Sequence, residues 1–319
     1  MGRRKGRDLD GWLVLDKPLG PTSTHFVNQL RWYYDARKVG HGGTLDPLAS
    51  GVLPIAFGRA TATIPWIMDS TKIYRFTLAL GQSRSTDDLE GDVTATSEVR
   101  PDDATLRQVA QGFVGNPVLQ VPPVYSALRV GGQRSYDLAR AGKAPDLPPR
   151  PVRIDSVTLV ARPDADHAVF EVQSGKGVYV RSLARDIALA CGTVGHVSAL
   201  RRLRCGPFTL GEALTPAQLK LDKAEENREN AKVLPAPLMA AATALADIPA
   251  LAVTREEGRA LVCGQRLASL AGGNDVFHQP EGLLWRVVLE GHVLGVARVE
   301  QGVLRAARMI EDQHFFGDT

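Results

Sequence analysis

At 319 residues the chain exceeds the usual size of one compact domain, so one large domain and a smaller one are expected. Hydrophobic residues at 44% and charged residues at 23% exclude a disordered or fibrous protein, while a formal net charge of +3 permits a polyanionic partner without requiring one. Cys191, Cys205 and Cys263 are odd in number and widely spaced, which excludes a disulfide framework and a paired zinc spacing and fits a reducing cytoplasm.

In chain order, a basic run of Arg3, Arg4, Lys5 and Arg7 meets Asp8 and Asp10 instead of an apolar segment, so neither an export signal nor a membrane span is expected. Gly11 to Leu15 reads as a short buried strand, stopped by Lys17-Pro18 and a Gly20-Pro21 turn. Thr22 or Ser23 can cap a helix whose Phe26, Val27, Leu30 and Tyr34 recur on one face. From Arg37 to Gly58 the chain is rich in Gly and Pro, with His41, Asp46 and Ser50 between apolar residues, and reads as an ordered loop carrying chemistry or a connection packed across a core. Ile73 to Leu80 alternates as a half-buried strand with Tyr74, Phe76, Leu78 and Leu80 on one face. Residues 103–113 read as helix, and 118–150 as a long excursion with a helical piece near Ser135 to Ala141. Strands are expected over 152–161 and 168–173, and from Tyr179 a strand gives way to a helix through Leu183, Ile187 and Leu189. Around Leu221 to Glu229 the chain turns polar and charged, Ala-rich, Pro-containing sequence follows to Ala250, and a linker or peripheral helix is expected there. Beyond it, Leu283 to Leu289, His292 to Val299 and Gly302 to Met309 are three strand-like runs separated by Gly-containing turns.

Several chemistries fail on their motifs. Gly175-Lys176-Gly177 lacks a third glycine, and no Walker spacing occurs. A nucleobase deaminase needs His-x-Glu, but His41 is followed by Gly42 and Gly43. Asp87, Asp88, Glu90 and Asp92 lack EF-hand spacing and read as a solvated acidic turn. No Gly-x-Ser-x-Gly elbow is present. Clustered cations, including Arg201, Arg202 and Arg204, suit phosphate contacts. What remains is a carboxylate set in a loop.

The run Gly40-His41-Gly42-Gly43-Thr44-Leu45-Asp46-Pro47-Leu48-Ala49-Ser50-Gly51-Val52-Leu53-Pro54 resembles the signature of the TruB family of tRNA pseudouridine synthases. Leu15-Asp16-Lys17-Pro18-Leu19-Gly20, Lys72-Ile73-Tyr74, the stretch from Val121 to Leu128, Lys176-Gly177-Val178-Tyr179-Val180-Arg181 and Leu200-Arg201-Arg202-Leu203 extend the resemblance in the family's order over roughly residues 10–215. Gly42-Gly43 stands where the family more often has Thr-Gly, and Ser174-Gly175 where it has Cys-Ser.

The resemblance implies isomerisation of uridine 55 in the T loop of tRNA to pseudouridine: the N1–C1′ bond breaks, the uracil turns, and it rejoins through C5. No cofactor or metal is needed. Asp46 is the implied essential carboxylate; the residues leave open whether it attacks a sugar carbon, abstracts a proton or stabilises positive charge at C1′. Arg181 matches an active-site arginine beside it, and Tyr74 a tyrosine that stacks on the target base near the C5 proton. Tyr179 and Leu200 match residues lining the uracil pocket, and His41 a histidine placed against the RNA at the extruded nucleotide. An RNA-gripping insertion corresponds to about 120–150, where Arg129, Arg134 and Arg140 join Arg201 and Arg202 as expected phosphate contacts. The implied architecture is α+β: a mixed, largely antiparallel sheet flanked by helices over 1–245, then a small β-rich PUA-like RNA-binding domain over 246–319. A cytoplasmic monomer with no obligate protein partner is expected. The alternatives are a tRNA-folding chaperone with secondary catalysis and a synthase directed by guide RNA.

Overall fold

The computed structural model describes residues 6–126, 128–143, 145–221, 238–273, 275–311 and 313–317. Arg3, Arg4, Lys5 and most of the expected linker or peripheral helix lie outside them.

The first half opens with β1 (Gly11–Lys17), α1 (Ser23–Tyr33), β2 (Val39–His41), β3 (Ala49–Phe57), α2 (Ile64–Asp69) and β4 (Lys72–Leu80). A small hairpin, β5 (Gln82–Arg84) and β6 (Val93–Thr96), precedes α3 (Asp103–Gln111) and β7 (Gly115–Gln120). The excursion holds β8 (Arg129–Val130), β9 (Gln133–Arg134) and α4 (Ser135–Arg140). Then come β10 (Arg150–Ala161), β11 (His167–Ser174), α5 (Val180–Ala190), β12 (Gly195–Cys205) and β13 (Phe208–Thr209). The C-terminal part holds β14 (Ala250–Ala252), α6 (Arg255–Val262), β15 (Leu284–Leu289), β16 (His292–Glu300) and β17 (Val303–Met309).

Among the described residues, nine strands form one sheet along the order β1-β3-β12-β4-β11-β10-β7, with β2 on β3 and β13 on β12. Its pairings are antiparallel except β3 with β12, which matches the expected mixed, largely antiparallel sheet. A second sheet, β14-β15-β16-β17, encloses its own core of Leu251, Leu261, Val287, Leu294 and Leu304, so a β-rich C-terminal domain is present.

Strands β2, β3 and β12 depart from the sequence expectation. The stretch expected to be a loop or a connection from Arg37 to Gly58 contains β2 and β3, and nearly all of β3 is buried. Gly51 and Pro54 disguised a fully buried strand, which shows no alternation because both of its faces are covered. β12, the strand between β3 and β4, was also unread: its arginines suggested surface, yet Arg202 is 1% exposed.

The helices follow their signals. Thr22 caps α1 by accepting from the His25 N–H at 3.1 Å, and Phe26, Leu30 and Tyr34 bury their side chains. Asp102 caps α3 in the same way. On α5, Leu183 and Ile187 are in the core, whereas Leu189 is exposed.

Candidate active site

The site grows from the loop joining β2 to β3. Ser23, the first residue of α1, accepts from the Leu45 N–H at 2.9 Å and donates to the Leu45 carbonyl at 3.0 Å. Lys17, at the end of β1, is fully buried, and its ammonium donates to the carbonyls of Pro18, Pro47 and Ala49 at 3.0, 3.3 and 2.8 Å. Gly20 adds an N–H to Pro47 at 2.9 Å, and the Asp46 carbonyl accepts from Ala49 at 3.0 Å. Asp46 is therefore bracketed by fixed backbone on both sides. Burial lowers the Lys17 pKa to about 8, against a raising influence from Asp46.

Arg181 enters from the first turn of α5. Its side chain is 9% exposed and its Nη2 lies 2.9 Å from Asp46 Oδ2, while the Asp46 side chain is 44% exposed. The same guanidinium donates to the carbonyls of Thr86 and Tyr125, each at 3.0 Å, and stands 3.4 Å from Asp88 Oδ2. One planar fork thus ties together the Asp46 loop, the 85–92 turn and the start of the insertion. α5 itself is anchored at Tyr179, where the Gln120 side chain accepts from the backbone N–H at 2.8 Å and donates to the carbonyl at 3.2 Å.

Strand register supplies the floor. Leu200 stands opposite Ala49 and Phe76, and Arg202 opposite Gly51 and Tyr74. Side chains directly opposite share a face, so Leu200, Arg202, Tyr74 and Phe76 line one side of the sheet. Leu200 borders a small cavity together with Asp46 and Arg181. Tyr74 packs against the two main hydrophobic clusters; burial raises its pKa, and the Arg202 cation works in the opposite direction. At His41, Nδ1 accepts from the Gly43 N–H at 3.3 Å, and burial followed by Arg202 lowers its pKa, so the imidazole is neutral with its other nitrogen free to donate.

Beside Asp46 lies a cleft of about 680 Å³ bordered by Asp46, Leu48, Thr86, Tyr125, Arg140 and Arg181; His41, Tyr74, Tyr179 and Leu200 do not border it. The insertion forms one wall: Tyr125 meets Tyr136 edge-on at 6.1 Å, and the Arg140 guanidinium covers the Tyr136 ring at 4.5 Å. Arg129 is exposed on the same insertion. Arg134, whose side chain lies outside the described portion, pairs through its backbone with Arg129. Arg201 is half exposed but donates to Asp16 at 2.8 Å.

Two expectations need correction. Arg202 cannot meet a phosphate where it stands, because its guanidinium is buried and donates to the carbonyls of Val52 and Gly43 at 2.7 and 3.0 Å. The 85–92 turn is not simply a solvated acidic turn: Asp88 is buried beside Arg181, and Asp87 is 3.0 Å from Arg185, with burial raising its pKa. The signal was present in the spacing of Arg181 and Arg185, two cations one turn apart on the same helix face. Tyr125 and Lys17 were missed as members of the site, although both stand in motifs quoted above.

Comparison with known proteins fits this geometry. The model described as the TruB family pseudouridylate synthase N-terminal domain matches residues 31–180, and that of the tRNA pseudouridylate synthase B C-terminal domain matches 181–246. The chain belongs to the TruB family. It is 66% identical over 320 residues to a tRNA pseudouridine synthase B of Gluconobacter oxydans (strain 621H), covering 100% of this chain and 96% of that protein. It is 47% identical over 310 residues to the tRNA pseudouridine synthase B of Rhodospirillum rubrum, covering 97% and 98% of the two chains. Among solved structures, a Cbf5-Nop10-Gar1 complex superposes with a TM-score of 0.72 at 23% identity, over 97% of this chain and 87% of that one. An H/ACA RNP bound to a substrate RNA containing 2′-deoxyuridine gives 0.68 at 22% identity, over 98% and 92%. At such identities the likeness speaks for the fold. As a TruB family pseudouridylate synthase the chain is an isomerase, and in this TruB protein no described helix is long and apolar enough to cross a membrane.

Proposed function

We propose that the chain isomerises uridine 55 in the T loop of tRNA to pseudouridine, as a cytoplasmic monomer without metal, organic cofactor or obligate protein partner. The relatives' shared name supports a tRNA substrate. The observation that carries the reading is the half-exposed Asp46 carboxylate, held 2.9 Å from a buried Arg181 at the edge of a cleft of nucleoside size.

Breaking N1–C1′ leaves positive charge at C1′, and a carboxylate fixed beside that carbon can attack it or stabilise it. Asp46 takes this part. Arg181 keeps the carboxylate aimed while sharing its own charge with Asp88. A target base inside a folded loop must first leave its stack. His41 then contacts the RNA at the vacated position, Tyr179 and Leu200 wall the uracil, and Tyr74 stacks on it and takes the C5 proton. Arg129, Arg134 and Arg140 on the insertion, with Arg201, contact phosphates. Residues 1–245 form the catalytic unit and 246–319 a PUA-like RNA-binding unit.

The test is site mapping. Unmodified tRNA transcripts, with U55 or with U55 replaced by cytidine, are incubated with the purified chain and pseudouridine is located by carbodiimide-dependent primer-extension stops. The reading predicts one stop at 55 that vanishes in the replaced transcript; modification outside the T loop with 55 untouched would refute it.

A further inference from the structure

β12 carries a buried cation that the reaction as described leaves without a task. Arg202 is 1% exposed, and its opposite-charge influences come from Cys205 and Tyr74 and not from a carboxylate among the described residues. Its Nε and Nη2 donate to the carbonyls of Val52 and Gly43 at 2.7 and 3.0 Å, and its guanidinium carbon stands 6.0 Å from the centre of the Tyr74 ring. Gly43, whose carbonyl it holds, has φ 137°, a backbone conformation that favours glycine. A guanidinium buried without a carboxylate is costly unless negative charge develops beside it. Cys205 and Tyr74 are the groups beside it where it can, and of the two Tyr74 is the one read as touching the base; the fixed cation offsets part of what burial imposes on the ionisation of Tyr74.

We propose that Arg202 is a positioning residue acting through Tyr74: it orients the phenol and stabilises the phenolate that removes the C5 proton at the end of the isomerisation. The proposal rests on the reading of Tyr74 as the acceptor of that proton. Once C5 has bonded to C1′, C5 still carries its hydrogen and the ring holds a C6=N1 double bond. The phenolate oxygen takes the proton, the C5–H pair becomes the C5=C6 bond, and the C6=N1 π pair moves onto N1, which takes a proton from water. Tyr74 then returns its proton to solvent. Nothing is oxidised or reduced. The buried cation keeps the transient phenolate from having to be solvated by water, which the stacked base excludes.

The experiment compares two hairpins of T-arm sequence, one with uridine and one with 5-fluorouridine at the target position, under single turnover. With fluorine on C5 there is no proton to remove, so bond transfer to C5 is read without the final step. Arg202→Gln keeps an amide donor for the carbonyls and removes the charge. It should slow uridine conversion by more than about 100-fold while leaving 5-fluorouridine rearrangement within about threefold of wild type. Arg202→Lys keeps the charge and should stay within about tenfold on uridine. Losses above about tenfold that are equal on both hairpins, in Arg202→Gln or, where that variant does not fold, in a folded Arg202→Lys, would mean that the guanidinium only holds the loop, and would overturn the proposal. Undiminished uridine conversion by Arg202→Gln would overturn it too. Tyr74→Phe separates the premise: full uridine conversion by that variant removes Tyr74 as proton acceptor whatever Arg202 does.

Discussion

Asp46 is held by groups that sequence distance conceals: Lys17 and Ser23 from one side, Arg181 from the other. Arg181 makes two carbonyl contacts and two carboxylate contacts with one planar group, which an ammonium cannot reproduce. Arg181→Lys should therefore lower single-turnover conversion by about 10²–10³-fold while tRNA binding changes far less; a loss confined to affinity would contradict this role. Lys17 makes a separate prediction. Its folded pKa of about 8 lies below the ordinary 10.5, so between those values the unfolded chain binds more protons and stability rises with pH, by up to about 1.4 kcal/mol per pH unit. Lys17→Met lacks that contribution, and Lys72, lowered to about 8 in the same way, is common to both proteins. In urea unfolding, wild type should gain about 2 kcal/mol on the variant between pH 8 and 10 and nothing below 8; a constant difference would refute the shift.

At the scale of elements, the site depends on β3 and β12 lying parallel and close. Gly51 has φ 100°, and a Cβ there would lie 2.2 Å from the Arg202 carbonyl oxygen, so Gly51→Ala must either part the strands or distort the Asp46 loop. A stability loss above about 3 kcal/mol is expected in chemical denaturation, and a loss under about 1 kcal/mol would show that the strands can separate cheaply. The insertion contributes grip. Arg140→Ala should raise the KM for tRNA and reduce the slope of log affinity against log salt by about one, with kcat within about threefold. An unchanged salt slope would remove Arg140 from the phosphate contacts. Elements whose pattern is local were readable: β4 alternates, α1 carries its cap and apolar stripe, and three Gly-punctuated runs announced the C-terminal sheet. β3 and β12 were not, because a strand covered on both faces has no period to detect and a buried arginine looks like surface.

For the whole molecule, a net charge of +3 says little about RNA, and the cations that matter are concentrated by the fold. All three in the 201–204 cluster turn inward or pair with acids: Arg202 is buried, Arg201 holds Asp16, and Arg204 reaches Asp247 at 3.4 Å. The residues of the site were nameable from sequence because the motif around Asp46 is long, yet their assembly was not, since it joins Asp46 to Arg181 and Gly51 to Arg202, pairs far apart along the chain. After β13 the chain returns to the sheet's first edge, where Met239 exchanges backbone hydrogen bonds with Trp12 at 2.7 and 2.8 Å. That closes the sheet's edge at the start of β1.

The central claim, that Asp46 drives rearrangement at C5 of a tRNA uridine, is tested most directly by tritium release. A T-arm hairpin labelled with tritium at C5 of its uridines is incubated with the wild-type chain and with Asp46→Ala, and tritium in water is counted. The account predicts one equivalent released per target uridine by wild type and a rate lower by at least about 10⁴-fold for Asp46→Ala, with hairpin binding retained. Tritium release by Asp46→Ala at a rate near wild type would contradict it.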